Sequence, residues 1–272
     1  MQQHSSSPLS VITSLWHNRY LIQSLIQREI ASKYRGSIMG LLWAFFNPVL
    51  MLLIYTLVFS VVFKARWSAS SDSKSEFALV LFAGLIVFNL FAECIGRAPT
   101  LILSNVNYVK RVVFPLEILA WVTMGSAFFH AGISLLVWLI AYVVLVGMPH
   151  VTVLWMPLVL LPLVLLTMGV SWALASLGVY LRDISQLIGI VITMLMFLSP
   201  IFYPVTALPD DYQFLLFINP LTPIIQMTRD VLFWGKPPNF TELGVSLAVF
   251  ATAAWLGYVW FQKTRKGFAD VI

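Results

Sequence analysis

VLWMPLVLLPLVLLTMGVSWALASLGV, residues 153–179, contains no charged side chain and is followed closely by Arg182 and Asp183. An α-helix needs about 20 mostly apolar residues to cross a lipid bilayer. This stretch therefore predicts a transmembrane helix that ends at a charged boundary. Similar apolar stretches fill nearly the whole chain, so the sequence predicts an all-α, polytopic membrane protein.

The composition of the 272-residue chain leads to the same class. Hydrophobic residues make up 60% and charged residues 10%, and the mean hydropathy is +0.91. A soluble domain usually carries about 25% charged residues. A chain so poor in charge could not cover its own surface against water. We expect one membrane domain at residues 37–262, a cytoplasmic N-terminus at 1–36 and a short cytoplasmic tail at 263–272.

Six apolar stretches are candidate membrane spans. The third belongs to a run that is too long for one upright span, so its first turns are expected to lie in the interface. The six stretches cover residues 38–63, 77–91, 116–146, 153–179, 184–202 and 243–261.

The distribution of Lys and Arg sets the expected orientation. With the N-terminus inside, about eleven cations lie on the cytoplasmic side and about five outside, which is the asymmetry of the positive-inside rule. Six spans with both ends in the cytoplasm are therefore predicted. The same rule explains the net charge of +5, so no nucleic-acid partner is expected. The outer cations are Lys64, Arg66, Lys74, Arg229 and Lys236.

Two segments fit neither a span nor a plain loop. From Leu15 to Ser37, apolar residues recur at helical spacing among basic ones, which predicts an amphipathic helix in the cytoplasmic interface or a simple juxtamembrane anchor. From Tyr203 to Glu242, the apolar runs are too short to cross a bilayer. They indicate two short re-entrant or interfacial helices broken at Asn219-Pro220, or else an extracellular loop with a hydrophobic patch.

Motifs for covalent chemistry are absent from the sequence. It lacks the phosphate loop G-x-x-x-x-G-K-[ST], the zinc motif H-E-x-x-H and the nucleophile elbow G-x-S-x-G. The single cysteine, Cys94, allows no internal disulfide and no metal-ligand spacing. We therefore expect no catalytic residue, no metal and no cofactor bound by this chain. The polar N-terminus predicts no cleaved signal peptide.

Ionisable residues near the spans are interpreted mainly as structural. Glu93 and Glu117 are expected to pair with cations such as Arg97 or Lys110, and His130 to form an interhelical hydrogen bond. A chain of buried carboxylates for proton-driven transport is missing. This pattern suits a membrane subunit that takes its energy from another protein.

Aromatic residues are concentrated in the first and fifth spans. Aromatic faces stack on sugar rings, so they favour the lining of a glycan channel. Interfacial belts and helix packing are the alternatives. The candidate lining residues are Trp43, Phe46, Tyr55, Phe197, Phe202 and Tyr203.

Three motifs together resemble the type-2 ABC export permeases, closest to those that export lipid-linked polysaccharides such as O-antigen, capsule and teichoic acid. The first runs from Arg28-Glu29-Ile30 through Lys33-Tyr34-Arg35-Gly36-Ser37 to Asn47-Pro48. The second is Ser199-Pro200-Ile201-Phe202-Tyr203-Pro204, and the third is Asn219-Pro220-Leu221-Thr222-Pro223 followed by Arg229-Asp230. Their order and spacing match the family over nearly the whole chain.

The resemblance implies a homodimer of permeases joined to two separate ATP-binding cassette subunits, which would bind ATP and magnesium. It also implies a coupling helix at about 96–115, with Arg97, Lys110 and Arg111, that docks on the ATPase. Gate helices would lie at 210–234, with Asn219, Pro220, Arg229 and Asp230. Spans one and five would line the channel.

These observations lead to a hypothesis: the chain is the membrane subunit of an ATP-driven exporter in the bacterial inner membrane. Its substrate would be an undecaprenyl-diphosphate-linked glycan, with O-antigen preferred. The cations at the first motif could attract the diphosphate, or reflect only the positive-inside rule. The rivals are an exporter of capsule, teichoic acid, a drug or another lipid, and a membrane-embedded transferase. The headgroup residues are Arg28, Lys33, Tyr34 and Arg35.

Overall fold

The computed structural model describes residues 8–58, 67, 74–109, 114–207 and 209–272. Within them all regular structure is helical, with short 3-10 turns between the α-helices. The helices are α1 Pro8–His17, α2 Arg19–Tyr34, α3 Trp43–Tyr55, α4 Lys74–Arg97, α5 Val106–Val109, α6 Ile118–Leu145, α7 Met156–Tyr180, α8 Ile184–Leu198, α9 Asp210–Ile218, α10 Leu221–Leu232, α11 Phe240–Thr264 and α12 Phe268–Val271.

Five helical runs in the described residues are long and apolar enough to cross a membrane: Gly40–Val58, Ser75–Thr100, Ile118–Leu145, Val151–Tyr180 and Phe240–Gly267. The multi-pass fold is thereby confirmed. The fifth predicted span is shorter than expected, because α8 has only 15 residues and spans about 22 Å. It ends at Leu198 rather than Phe202, since Ser199 precedes a proline and takes an extended conformation. The count of six spans stays a prediction.

Helix α4 forms the centre of the structure. Every side chain from Phe77 to Phe88 is buried, and α4 packs against α3, α6, α7, α8 and α10. The indole of Trp138 on α6 donates a hydrogen bond to the Leu79 carbonyl at 2.8 Å. By contrast, α3 and α8 leave many large apolar side chains exposed. The two helices predicted to line a channel therefore lie at the periphery of the chain.

The predicted helix at Leu15–Ser37 is in fact two helices, α1 and α2. The break is at Asn18, whose side chain donates a hydrogen bond to the Ser14 carbonyl at 2.9 Å. Asn side chains often compete with helical hydrogen bonds in this way. The apolar face of α2, Ile22 and Leu25, packs on Ile118 and Val122 of α6. The apolar face that was predicted to meet lipid thus partly meets protein.

Helices α7 and α11 pack closely because both carry glycines at the contact. A Cβ atom at Gly169 would lie 2.6 Å from the Ala253 carbonyl oxygen, and one at Gly257 would overlap the Gly169 carbonyl. Small residues that allow such backbone contact are the usual basis of helix association in membranes.

We expect Gly257→Ala to lower the free energy of unfolding by about 1–3 kcal/mol, because the added methyl group forces α7 and α11 apart. Thermal unfolding of the purified protein in detergent measures this. Gly244→Ala on the same helix is the matched control: its Cβ meets no atom within 4 Å, and helix propensity favours Ala. Equal stability of the two variants would contradict the close contact.

Candidate functional site: a cationic pocket at the end of α4

A cavity of about 460 Å³ lies between α2, the last turn of α4, the segment 100–108 and the first turns of α6. Its charged lining consists of three guanidinium groups, Arg28, Arg35 and Arg97, and one carboxylate, Glu29, for a net charge of +2. Its neutral polar lining adds further hydrogen-bonding groups: Ser32, Thr100, Ser104, Asn105 and Tyr108. The lining therefore combines a net positive charge with several hydrogen-bonding groups, a combination that suits an anion.

The three arginines differ in how their charge is balanced. Arg97 forms an ion pair with Glu29, with 2.6 Å between Nη1 and Oε1. Arg28 donates a hydrogen bond to the hydroxyl of Tyr108, whose ring stacks on Phe114 with 4.2 Å between the centroids. Among the described residues, no carboxylate lies within ion-pair distance of Arg28 or Arg35. These two charges are the ones available to an anionic molecule.

Lys33 and Tyr34, which were predicted together with these arginines, contact other residues in the structure, and their headgroup role stays a prediction. The Lys33 ammonium lies 3.3 Å from a Glu93 oxygen, and Glu93 bonds His130 Nδ1 at 2.9 Å. The ring of Tyr34 meets the edge of His130 at 6.2 Å, and burial, with the nearby Glu93 charge, raises the pKa of Tyr34. Neither Lys33 nor Tyr34 lines the cationic pocket; both hold α2 to α4 and α6.

The structure describes one of the three residues predicted to couple to an ATPase. This residue, Arg97, lines the cationic pocket together with Arg28 and Arg35, which were predicted to bind the lipid headgroup. Lys110 and Arg111 lie outside the described residues. Glu29 and Tyr108 were not predicted as site residues. Glu29 belongs to the Arg28-Glu29-Ile30 motif and could have been predicted as a lining residue on that ground. No sequence pattern indicates the same for Tyr108.

The structural interpretation of the ionisable residues is confirmed. His130 bonds Glu93 between α6 and α4, and Glu93 also lies 3.9 Å from Arg97. Glu117 pairs with Arg265 at 2.7 Å, a partner far away in sequence. Each group therefore joins separate segments of the chain, although the partner of Glu117 is Arg265 and not Arg97 or Lys110 as predicted.

The candidate channel aromatics form two groups. Trp43 and Phe46 are exposed on α3, with Tyr55 near its other end. At the end of α8, the rings of Phe197 and Phe202 lie 6.0 Å apart, and the Tyr203 hydroxyl donates to the Phe197 carbonyl at 2.8 Å. Burial raises the pKa of Tyr203.

Within one chain, the aromatic residues of α3 and those at the end of α8 do not form a shared lining. Helix α3 packs on α6 and α4, whereas α8 packs on α4 and α7. A shared lining would need a second copy of the chain, so the channel role stays a prediction.

Arg229, a predicted gate residue, is buried with 4% of its surface exposed. It donates to the carbonyl oxygens of Val80 on α4 at 3.0 Å, of Ile201 at 2.9 Å and of Pro200. Its guanidinium also lies 4.3 Å from the Trp67 ring centroid. Burial lowers the pKa of Arg229 to about 9, which leaves it charged at neutral pH. It thus fixes α10 and the turn after α8 to the central helix.

Arg229 was counted among the five outer cations, and the structure shows that it is buried and bonded to three backbone carbonyls. The orientation of the chain in the membrane stays a prediction.

The break at Asn219-Pro220 is confirmed as the junction of two short helices, α9 and α10. The Asn219 side chain donates to the Ser199 hydroxyl at 2.8 Å and accepts from the Leu221 backbone N–H at 3.0 Å. The bond to Leu221, two residues on, forms an Asx-type turn that leads the chain into α10. Asp230 is partly buried, which raises its pKa. The gate role of these helices stays a prediction.

Comparison with known proteins finds relatives over most of the chain. The O-antigen export system permease protein RfbA of Myxococcus xanthus is 26% identical over 97% of this chain and 100% of its own length. RfbA of Klebsiella pneumoniae is 24% identical over 93% of this chain and 95% of its own. The polysialic acid transport protein KpsM of Escherichia coli is 24% identical over 85% of this chain and 86% of its own.

The helical fold, with several apolar helices around α4, is that of a multi-pass membrane protein. A family model matches residues 20–233, most of the chain. The chain belongs to the ABC-2 type transporter family.

We expect Arg229→Lys to lower the free energy of unfolding by about 2–4 kcal/mol, because one ammonium cannot reach three carbonyls and each one left unsatisfied is costly. Thermal unfolding in detergent measures this. Arg182→Lys, at an exposed site, is the control and should leave stability unchanged. A stable Arg229→Lys variant would show that the three bonds contribute little.

Proposed function

We propose that this chain is the membrane subunit of an ATP-driven exporter that moves an undecaprenyl-linked polysaccharide, O-antigen in preference, across the bacterial inner membrane. The observation that carries the proposal is the cationic pocket, whose net charge of +2 suits a diphosphate diester. The similarity to O-antigen export permeases over nearly the full length supports the substrate class.

In this proposal, Arg28 and Arg35 bind the diphosphate at the cytoplasmic side. Their charges are unbalanced by any described carboxylate, so an anion gains more from them than from the paired Arg97. The glycan would then pass along the aromatic side chains of α3 and α8. The chain's six spans would place both ends in the cytoplasm, and α9 and α10 would form the outer gate.

Energy would come from two ATP-binding cassette subunits, which bind ATP and magnesium, acting on a dimer of this chain. The chain itself lacks a phosphate loop. The proposed docking segment also lines the pocket, through Thr100, Ser104 and Asn105, and its Asn107 is exposed. A shift of this segment on ATP binding would therefore change the pocket directly.

Capsule export is the second candidate, because KpsM matches 85% of the chain. Analysis of which surface glycan is lost when the gene is deleted would decide between them. A transferase is disfavoured, since Glu117 and His130 are engaged in holding helices.

We expect Arg35→Gln to lower surface glycan about tenfold at unchanged protein level, because one of the two available charges is lost, a change of about 1.4 kcal/mol in headgroup binding. Immunoblots of surface glycan and of the tagged chain measure this. Arg19→Gln is the matched control, since Arg19 is exposed on the same helix and packs on Trp16 and Tyr20. Normal export by Arg35→Gln would eliminate the headgroup role.

We expect the chain to copurify with a phosphate-loop ATPase whose activity depends on both subunits. Replacing Lys110 and Arg111 by Glu should abolish this association, since their charge is reversed at the proposed docking segment. Replacing Lys110 and Arg111 by Gln instead removes their charge without reversing it, and so tests whether the association depends on the positive charge or on the shape of the segment. An active ATPase that never associates with the chain would contradict the proposal.

A further inference from the structure

A second cavity lies on the other side of α2 from the cationic pocket. It measures about 780 Å³ and is formed by α2, the turn Gly40–Leu42 and α6. Ile30, Ala31, Leu41 and Phe129 make its walls mostly apolar. We refer to this space as the apolar cavity.

The two cavities use opposite faces of one helix. Residues 25, 28, 29 and 32 of α2 line the cationic pocket, whereas residues 27, 30, 31 and 34 line the apolar cavity. At 100° per residue these two sets point in opposite directions. Arg35, at the end of α2, lines both cavities.

The chain leaves room around Arg35. Helix α2 ends at Tyr34, and Gly36 has a φ of +84° with no atom within 4 Å of where a Cβ would lie. A molecule could therefore pass around the end of α2 with its anionic part on one side and its apolar part on the other.

We propose that the apolar cavity binds the first isoprene units of a polyprenyl diphosphate whose diphosphate lies in the cationic pocket. The inference rests on the proposed function and extends it from the headgroup to the lipid chain. The two linings favour one kind of occupant. A compact diphosphate matches the net charge of +2 in the cationic pocket, and a single hydrocarbon chain matches the apolar cavity beside Arg35.

A third cavity offers a control. It measures about 440 Å³ between α6 and α7, and Phe128, Gly132 and Leu160 are among its apolar lining. None of its lining residues is charged, so it has no site for a diphosphate. A Cβ at Gly132 would meet no atom within 4 Å, which makes this position tolerant of a larger side chain.

The test is native mass spectrometry of the purified full-length chain in detergent, titrated with farnesyl diphosphate and, separately, with inorganic diphosphate. Farnesyl diphosphate should bind about tenfold tighter, which corresponds to about 1.4 kcal/mol. Ala31→Phe, which fills the apolar cavity from an exposed position, should remove this gain and leave binding of inorganic diphosphate unchanged. Gly132→Phe should change neither.

The outcomes separate the inference from the proposed function. If inorganic diphosphate binds but the farnesyl chain adds nothing, or Ala31→Phe keeps the gain, the apolar cavity is not the chain site although the headgroup site survives. If inorganic diphosphate does not bind, or binds equally to an Arg28→Gln, Arg35→Gln double variant, the headgroup part of the proposed function fails.

A second measurement identifies the occupant. A diazirine-bearing farnesyl diphosphate should cross-link to peptides containing Ala31 or Leu41. Labelling confined to α7 at Leu160, in the third cavity, would overturn the proposal. Equal competition by dioleoyl phosphatidic acid would show a general phospholipid site and would also overturn it.

Discussion

The burial of α4 is the constraint on which the rest of the structure depends. Five helices pack around it, so each of its ends has fixed neighbours. Near its start the Val80 carbonyl accepts a bond from Arg229, and near its end Glu93 and Arg97 hold α2. In lipid, apolar contact between helices adds little driving force. Close glycine contacts and a few polar bonds therefore fix the arrangement.

The same polar bonds explain why charge is tolerated in so apolar a chain. Three ionisable groups inside the described structure have partners from other segments: Glu117 pairs with Arg265, Glu93 with His130, and Arg229 with backbone carbonyls. Unpaired charge at membrane depth is expensive. The unbalanced charges of Arg28, within α2, and Arg35, just after its end, lie instead at exposed positions where an anion could reach them.

Helix α2 connects structure to proposed function. One face packs on α6 through Ile22 and Leu25 and also carries the arginine and glutamate side chains that line the cationic pocket, whereas the opposite face borders the apolar cavity. Because polar and apolar side chains share the first face, α2 does not show one simple apolar stripe. Its contacts could therefore not be predicted from amphipathicity alone.

The sequence by itself determined the class, the approximate spans and the break at Asn219-Pro220, because hydropathy and proline act locally along the chain. It also identified Arg28, Arg35 and Arg97 as candidate site residues. Only the tertiary structure decided that Arg97 shares a pocket with the other two and that Lys33 forms an ion pair with Glu93. It also decided that Arg229 is buried and bonds backbone carbonyls of α4 and of the turn after α8. These outcomes depend on which helix ends meet: Glu117 and Arg265 meet because the start of α6 lies beside the end of α11.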